Sequence, residues 1–81
     1  MKKMKYIIVD NGQWDAPVIF DEFTQHFTVA ANTPGKVIAA GFVRFTPDGL
    51  ECYGDSISLG VASRPEEDSK LINKMLGVSD D

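Results

Sequence analysis

Ser56 lies in the run Gly54-Asp55-Ser56-Ile57, a setting in which a serine hydroxyl could act as an acyl-transfer nucleophile. That chemistry needs a histidine, oriented by an aspartate, to take the hydroxyl proton, and in esterases with this run the histidine follows the serine in the chain. His26 is the sole histidine and precedes it. Ser58, in turn, lacks the glycine two residues earlier that a nucleophile elbow requires. Zinc takes three or four ligands, and one histidine, one cysteine (Cys52) and scattered carboxylates do not supply them by spacing. Asp10, Asn11, Asp15, Asp21 and Glu22 carry the oxygen ligands calcium prefers, without the Asp-x-Asp-x-Asp-Gly order of an EF-hand loop. The expectation is a nonenzymatic protein with no catalytic, metal or cofactor site. His26 is then a partly exposed structural histidine and Cys52 a small apolar residue of core or sheet. Trp14, in the polar loop Gly12-Gln13-Trp14-Asp15, has two readings: a lid folded back on the core, or an anchor for a partner. Trp14, Tyr53 and Asp55 make up the candidate interface.

The elements that must position these residues follow from hydrophobic period and turn chemistry. Residues 4–9 form a β-branched and aromatic run stopped by Asp10-Asn11-Gly12. Its continuous apolar stretch Tyr6-Ile7-Ile8-Val9 predicts cover on both faces and a central place in the sheet. Residues 16–20 read as a second short strand, and Pro17, which cannot donate to a ladder, favours an edge. Asp21 can cap a short helix with Phe23, Phe27 and Ala30 on one face, ended by Asn32-Thr33-Pro34-Gly35. Residues 37–45 are extended, with Gly41 marking a bulge or a close backbone approach. Thr46-Pro47-Asp48-Gly49 is a turn, and residues 50–53 return as the hairpin partner. Residues 56–61 alternate Ser56, Ser58 and Gly60 against Ile57, Leu59 and Val61, the period of a half-buried strand.

The last helix has the clearest signals. Ser63-Arg64-Pro65-Glu66 reads as a capping box with proline in the first turn, Ser63 capping the helix and Glu66 reaching back. Glu67 and Asp68 sit at the positive end of the helix dipole, Lys70 and Lys74 toward the other. The helix is expected over residues 64–76, with Leu71, Ile72, Met75 and Leu76 as its apolar stripe and Gly77 as its stop; residues 78–81 should fray. The order β-β-α-β-β(-β)-α predicts an α+β fold, a small antiparallel or mixed sheet of four to five strands with two helices packed on it. One domain is expected over residues 1–81, with its ordered core within residues 4–77. Helices on one face of so small a sheet would leave the other face, or an unpaired edge, open to a partner or a second copy.

Net charge is −4, from eight basic and twelve acidic residues, and the basic ones do not gather into a stripe. This disfavours nonspecific nucleic-acid binding, which rests on lysine and arginine neutralising phosphates. Hydrophobic content of 43% with 10% aromatic residues is globular. The basic start Met1-Lys2-Lys3-Met4-Lys5 leads into an apolar run over residues 6–9 only, too short for a signal peptide or a bilayer span, so no membrane partner is expected. A lone cysteine fits a reducing cytoplasm better than a disulfide scaffold.

Ala40-Gly41-Phe42, Asp48-Gly49, Glu51-Cys52-Tyr53-Gly54-Asp55-Ser56-Ile57-Ser58-Leu59 and Ser63-Arg64-Pro65-Glu66-Glu67-Asp68 together resemble small uncharacterised proteins encoded by bacteriophages and prophages. The resemblance implies an accessory protein made in the bacterial cytoplasm. Many phage proteins of this size inhibit a host enzyme or a defence complex, anti-CRISPR proteins among them. The functional expectation is therefore a nonenzymatic accessory protein that binds another protein, with self-association included. The alternative is a nucleic-acid-binding accessory protein that uses the basic N-terminus, Lys36, Arg44 and aromatic residues.

Overall fold

The computed structural model describes residues 3–77; Lys2 of the basic N-terminus and the expected fraying of residues 78–81 lie outside the described residues. Four strands, β1 (Met4–Asp10), β2 (Asp15–Asp21), β3 (Lys36–Thr46) and β4 (Gly49–Tyr53), form an antiparallel sheet in the order β2-β1-β3-β4. Two helices, α1 (His26–Ala31) and α2 (Pro65–Met75), and a small hairpin of β5 (Asp55–Ser56) and β6 (Val61–Ala62) complete the predicted α+β fold. β1 lies inside the sheet, as its apolar run requires. Tyr6, Ile7, Ile8 and Val9 are all buried, alternately on the two faces.

That alternation puts the helices on opposite sides. On one face Tyr6 and Ile8 join Ala39, Val43, Leu50 and Cys52 beneath Ile72 of α2. On the other, Ile7, Val9 and Ala40 are covered by Val29 and Ala30 of α1 and by Leu59 and Val61 around the β5–β6 hairpin. The one-sided arrangement with an open sheet face is thus corrected. Each face carries an apolar row, and apolar surface left in water costs about 25 cal/mol per Å².

The ladder between β1 and β3 slips by one residue, since Ile8 faces Ala39 while Val9 faces Val37. Ile38 is the extra residue, and both it and Ala39 pack on the α2 side. Gly41 takes the second of its two expected roles. A Cβ there would strike the Tyr53 carbonyl oxygen and come within 3.1 Å of the Ser63 Cβ, so only glycine lets the chain after β4 pass so close.

Three expectations are overturned by local hydrogen bonding. Asp21 Oδ1 accepts the Phe23 and Thr24 amides at 2.8 and 2.9 Å, an Asx turn that keeps this segment out of the helix, so α1 begins only at His26. Phe23 is accordingly 82% exposed and belongs to no core face. Residues 56–61 are a tight hairpin and not one strand. Gly60, at φ 65°, donates to the Ser56 carbonyl at 2.9 Å, leaving Ile57 at the tip 92% exposed.

The third concerns the start of α2. Ser63 donates its hydroxyl to the Gly54 carbonyl at 2.6 Å and its amide to the same oxygen at 3.0 Å, closing the β5–β6 hairpin. It is therefore not the helix cap. The N-cap is Arg64, whose amide is held by Asp68 Oδ2 at 2.8 Å, the reach-back half of a capping box made by Asp68 in place of Glu66. Of the expected stripe Ile72 is fully buried and Leu71 partly, while Met75 and Leu76 are exposed. Asn73 already bonds Leu50 beside the start of β4, so the last turn of α2 runs past the sheet.

Candidate protein interface

The side chains best suited to chemistry are buried and engaged. Asp68, with no exposed surface, accepts the Tyr6 phenol on Oδ2, and on Oδ1 the Arg64 guanidinium, from Nε at 3.0 Å and Nη2 at 2.9 Å. Sequence reading placed Asp68 with Glu67 as a dipole charge. The signal that separates it is phase: it lies four residues before Ile72, on the same helix face. Burial and the bonded carboxylate push the Tyr6 phenol far above its ordinary value, and burial raises the Cys52 thiol from 9.0 to about 11. A thiol so held is a poor nucleophile and a poor ligand.

His26 is buried, a correction to its expected partial exposure. Its Nε2 donates to the Gly41 carbonyl at 2.8 Å, and Phe20 and Phe42 flank it edge-on with ring centroids at 5.4 and 5.7 Å. The Ser56 hydroxyl accepts the Leu59 amide at 3.3 Å inside its own turn, which is a structural use. Among the described residues no three of His, Cys, Asp and Glu gather to hold a metal ion.

Aromatic and basic residues do meet at one level of the sheet. The register sets Phe20, Lys5, Phe42 and Tyr53 side by side across four strands. Phe42 and Tyr53 stack at 5.7 Å; the Lys3 ammonium stands 5.3 Å from the Phe42 centroid and the Arg44 guanidinium 4.9 Å from that of Tyr53. Such a row resembles a base-stacking platform, but two of its three cations are engaged within the chain. Arg44 pairs with Glu51 at 2.6 Å and Lys5 donates to the Thr24 carbonyl at 3.0 Å. Lys36 lies at the far end of the sheet, opposite Asp10.

The two edges of the sheet are finished differently. Along β4, Asn73 of α2 accepts the Leu50 amide at 2.9 Å and donates to the Leu50 carbonyl at 2.8 Å, while Ser69 accepts the Cys52 amide at 2.8 Å. Side chains stand there where the backbone of a further strand would, beside an open groove of about 450 Å³. β2 forms the other edge. At its hairpin the Asn11 amide donates to the Trp14 carbonyl at 3.3 Å, so that pair is hydrogen-bonded and Asp10/Asp15, the next, is not. Alternation then turns the backbone of Asp15, Pro17 and Ile19 outward, and proline occupies the kind of position that spares a ladder bond. Among the described residues no side chain bonds those outward groups.

Trp14 immediately precedes this edge and is 60% exposed, so it is no lid on the core. Its loop is firmly built. Asn11 Oδ1 accepts the Gln13 and Trp14 amides at 2.9 and 3.0 Å, and Asp10 Oδ1 accepts the Gly12 amide at 2.9 Å. Asp10 and Asp15 face each other across the neck of the loop, both exposed. Of the other candidate residues, Tyr53 is half-buried in its stack and Asp55 is exposed at the start of β5. Tyr53 is level with Lys5, five residues along β1 from Asp10, or roughly 17 Å at about 3.4 Å per residue. The structure therefore separates Trp14 from Tyr53 and Asp55 and sets it beside the β2 edge, which sequence reasoning expected as an edge but did not join to Trp14 as one surface.

Comparison with protein-family models, with curated proteins and with solved structures finds no match for this chain.

Proposed function

We propose that this chain is a nonenzymatic accessory protein of the bacteriophage or prophage type that acts by binding another protein, a host enzyme or defence complex being the class of target. The observation that carries the reading is Trp14, a large apolar side chain held 60% exposed on a hydrogen-bonded loop. Tryptophan is an enriched anchor at interfaces, and a backbone ordered in advance beneath it reduces the entropy lost on binding. Nucleic acid is the weaker reading, because Arg44 and Lys5 are engaged within the chain and net charge is −4.

The test is retention of a partner from bacterial lysate by the immobilised protein, compared with Trp14→Ala. Wild type should retain a partner, and the variant, with an unchanged melting temperature, should retain less by about tenfold, the loss of ~1.4 kcal/mol. A wild-type protein that is monomeric by size-exclusion chromatography and retains nothing would refute the reading.

A further inference from the structure

We infer that the outer edge of β2 is a docking site for an extended segment of another protein, lying antiparallel to β2 with a cationic residue opposite Asp15. The inference rests on the protein-binding reading and names the chemistry of the partner. An edge strand is a template for a further strand, and folded proteins ordinarily block it. Here the β4 edge is blocked by Asn73 and Ser69, whereas β2 presents the amides of Asp15 and Ile19 and the carbonyls of Asp15, Pro17 and Ile19. Pro17 removes one donor from that row and keeps its acceptor.

A second copy fits this edge poorly. With the two-fold at Val18, Asp15 opposes the partner's Asp21 twice over, a like-charge arrangement that destabilises a strand pair. With the two-fold at Pro17, two prolines meet without a donor between them. At Ile19, each Pro17 still forfeits one bond and Asp15 falls beyond the end of the opposing strand. A foreign segment meets a single Pro17 and not two, and it need not place a carboxylate opposite Asp15.

Charge supplies the specificity. Asp10 and Asp15 are direct cross-strand neighbours, both exposed, and neither forms an ion pair among the described residues. Lys36 stands opposite Asp10 on β3, so an incoming lysine or arginine opposite Asp15 gives each carboxylate of the row a cation on its outer side. Trp14, next in the chain, extends the same surface beyond the strand.

The probe is a capped seven-residue peptide alternating threonine and valine, with arginine at its last position, titrated into the protein and followed by amide chemical shifts. Its counterpart carries glutamate there. The arginine peptide should shift the Asp15 and Ile19 amides and bind about tenfold more tightly than the glutamate peptide, and Asp15→Lys should reverse the preference without altering circular dichroism. Equal binding of both peptides overturns the inference, as do shifts confined to Leu50 and Cys52 on β4, or a wild-type dimer with a protected Ile19 amide. If a cellular partner is retained equally by wild type and Asp15→Lys and the peptides are not distinguished, the edge site fails and the protein-binding reading stands. Discrimination of the peptides with no cellular partner retained supports the edge site and counts against the proposed target.

Discussion

Replacing Asp68 by alanine removes one acceptor from three donors at once. The Tyr6 hydroxyl, on a fully buried residue, loses its partner at a cost of about 1–3 kcal/mol. The Arg64 amide at the start of α2 loses its cap, worth about 0.5–2 kcal/mol. The Arg64 side chain is partly exposed and turns to water, so its ion pair adds little. The expected total is about 2–4 kcal/mol, against a stability of roughly 4–12 kcal/mol for a domain of this size. In a thermal melt that corresponds to a fall of roughly 10–25 °C. Tyr6→Phe alone leaves the carboxylate with Arg64 and should cost about 1–3 kcal/mol. The double variant should lose less than the sum, because the orphaned phenol is gone. Urea and thermal melts by far-ultraviolet circular dichroism measure all three. A fall under about 3 °C for Asp68→Ala, or strict additivity in the double variant, would refute the account of a shared buried acceptor.

Three further outcomes are expected. The Cys52 thiol holds its proton to about 11 in the fold against 9.0 unfolded. Between those values the unfolded chain binds fewer protons, so stability is full below pH 9 and falls as pH rises toward 11. Urea melts at stepped pH should show Cys52→Ala abolishing the part of that fall that begins at 9 while keeping the later fall from Tyr6, which titrates at 10.0 when unfolded. Ile72→Ala should cost about 2–5 kcal/mol by leaving a cavity, whereas Leu76→Ala, at a side chain 57% exposed, should shift the melt by less than about a quarter of that. Gly41→Ala places a methyl group against the Tyr53 carbonyl and should destabilise by about 1–3 kcal/mol or more in the same melts; a neutral result would mean the crossing after β4 is not as close as described.

Sequence was most informative where one residue type has one physical reason. The unbroken run Tyr6 to Val9 could only be satisfied inside a sheet with both faces covered, and Pro17 could only sit where a ladder bond is not needed. The turn at Thr46-Pro47-Asp48-Gly49 and the proline-started last helix followed for similar reasons. Failures came where two local partners compete for one group. Asp21 and Ser63 each had a cap within reach, and each bonded elsewhere, Asp21 to its own turn and Ser63 to Gly54. The alternation over residues 56–61 matched a strand, yet two glycines at positive φ, Gly54 and Gly60, fold that stretch on itself. Asp68 and Asn73 were invisible as structural residues because their roles depend on which strand lies under α2, a long-range fact. Trp14, left open between lid and anchor, and the Pro17 edge strand were both read from the sequence, but which backbone groups of β2 face outward depends on the register of its hairpin with β1, so the two were not joined as one surface.

The doubled residue at Ile38 has a consequence for how this chain tolerates change in length. A regular ladder has no slack: losing Ile7 from β1, which is paired on both sides, would send every following side chain to the wrong face. β3 carries one residue in excess of its partner, so deleting Ile38 would bring Val37 and Ala39 into unbroken alternation opposite Val9 and Ile8, with both apolar rows still in phase. Such a deletion loses one partly buried side chain and no register. In a lineage of related sequences, this is the place in the sheet where strand length is free to vary by one.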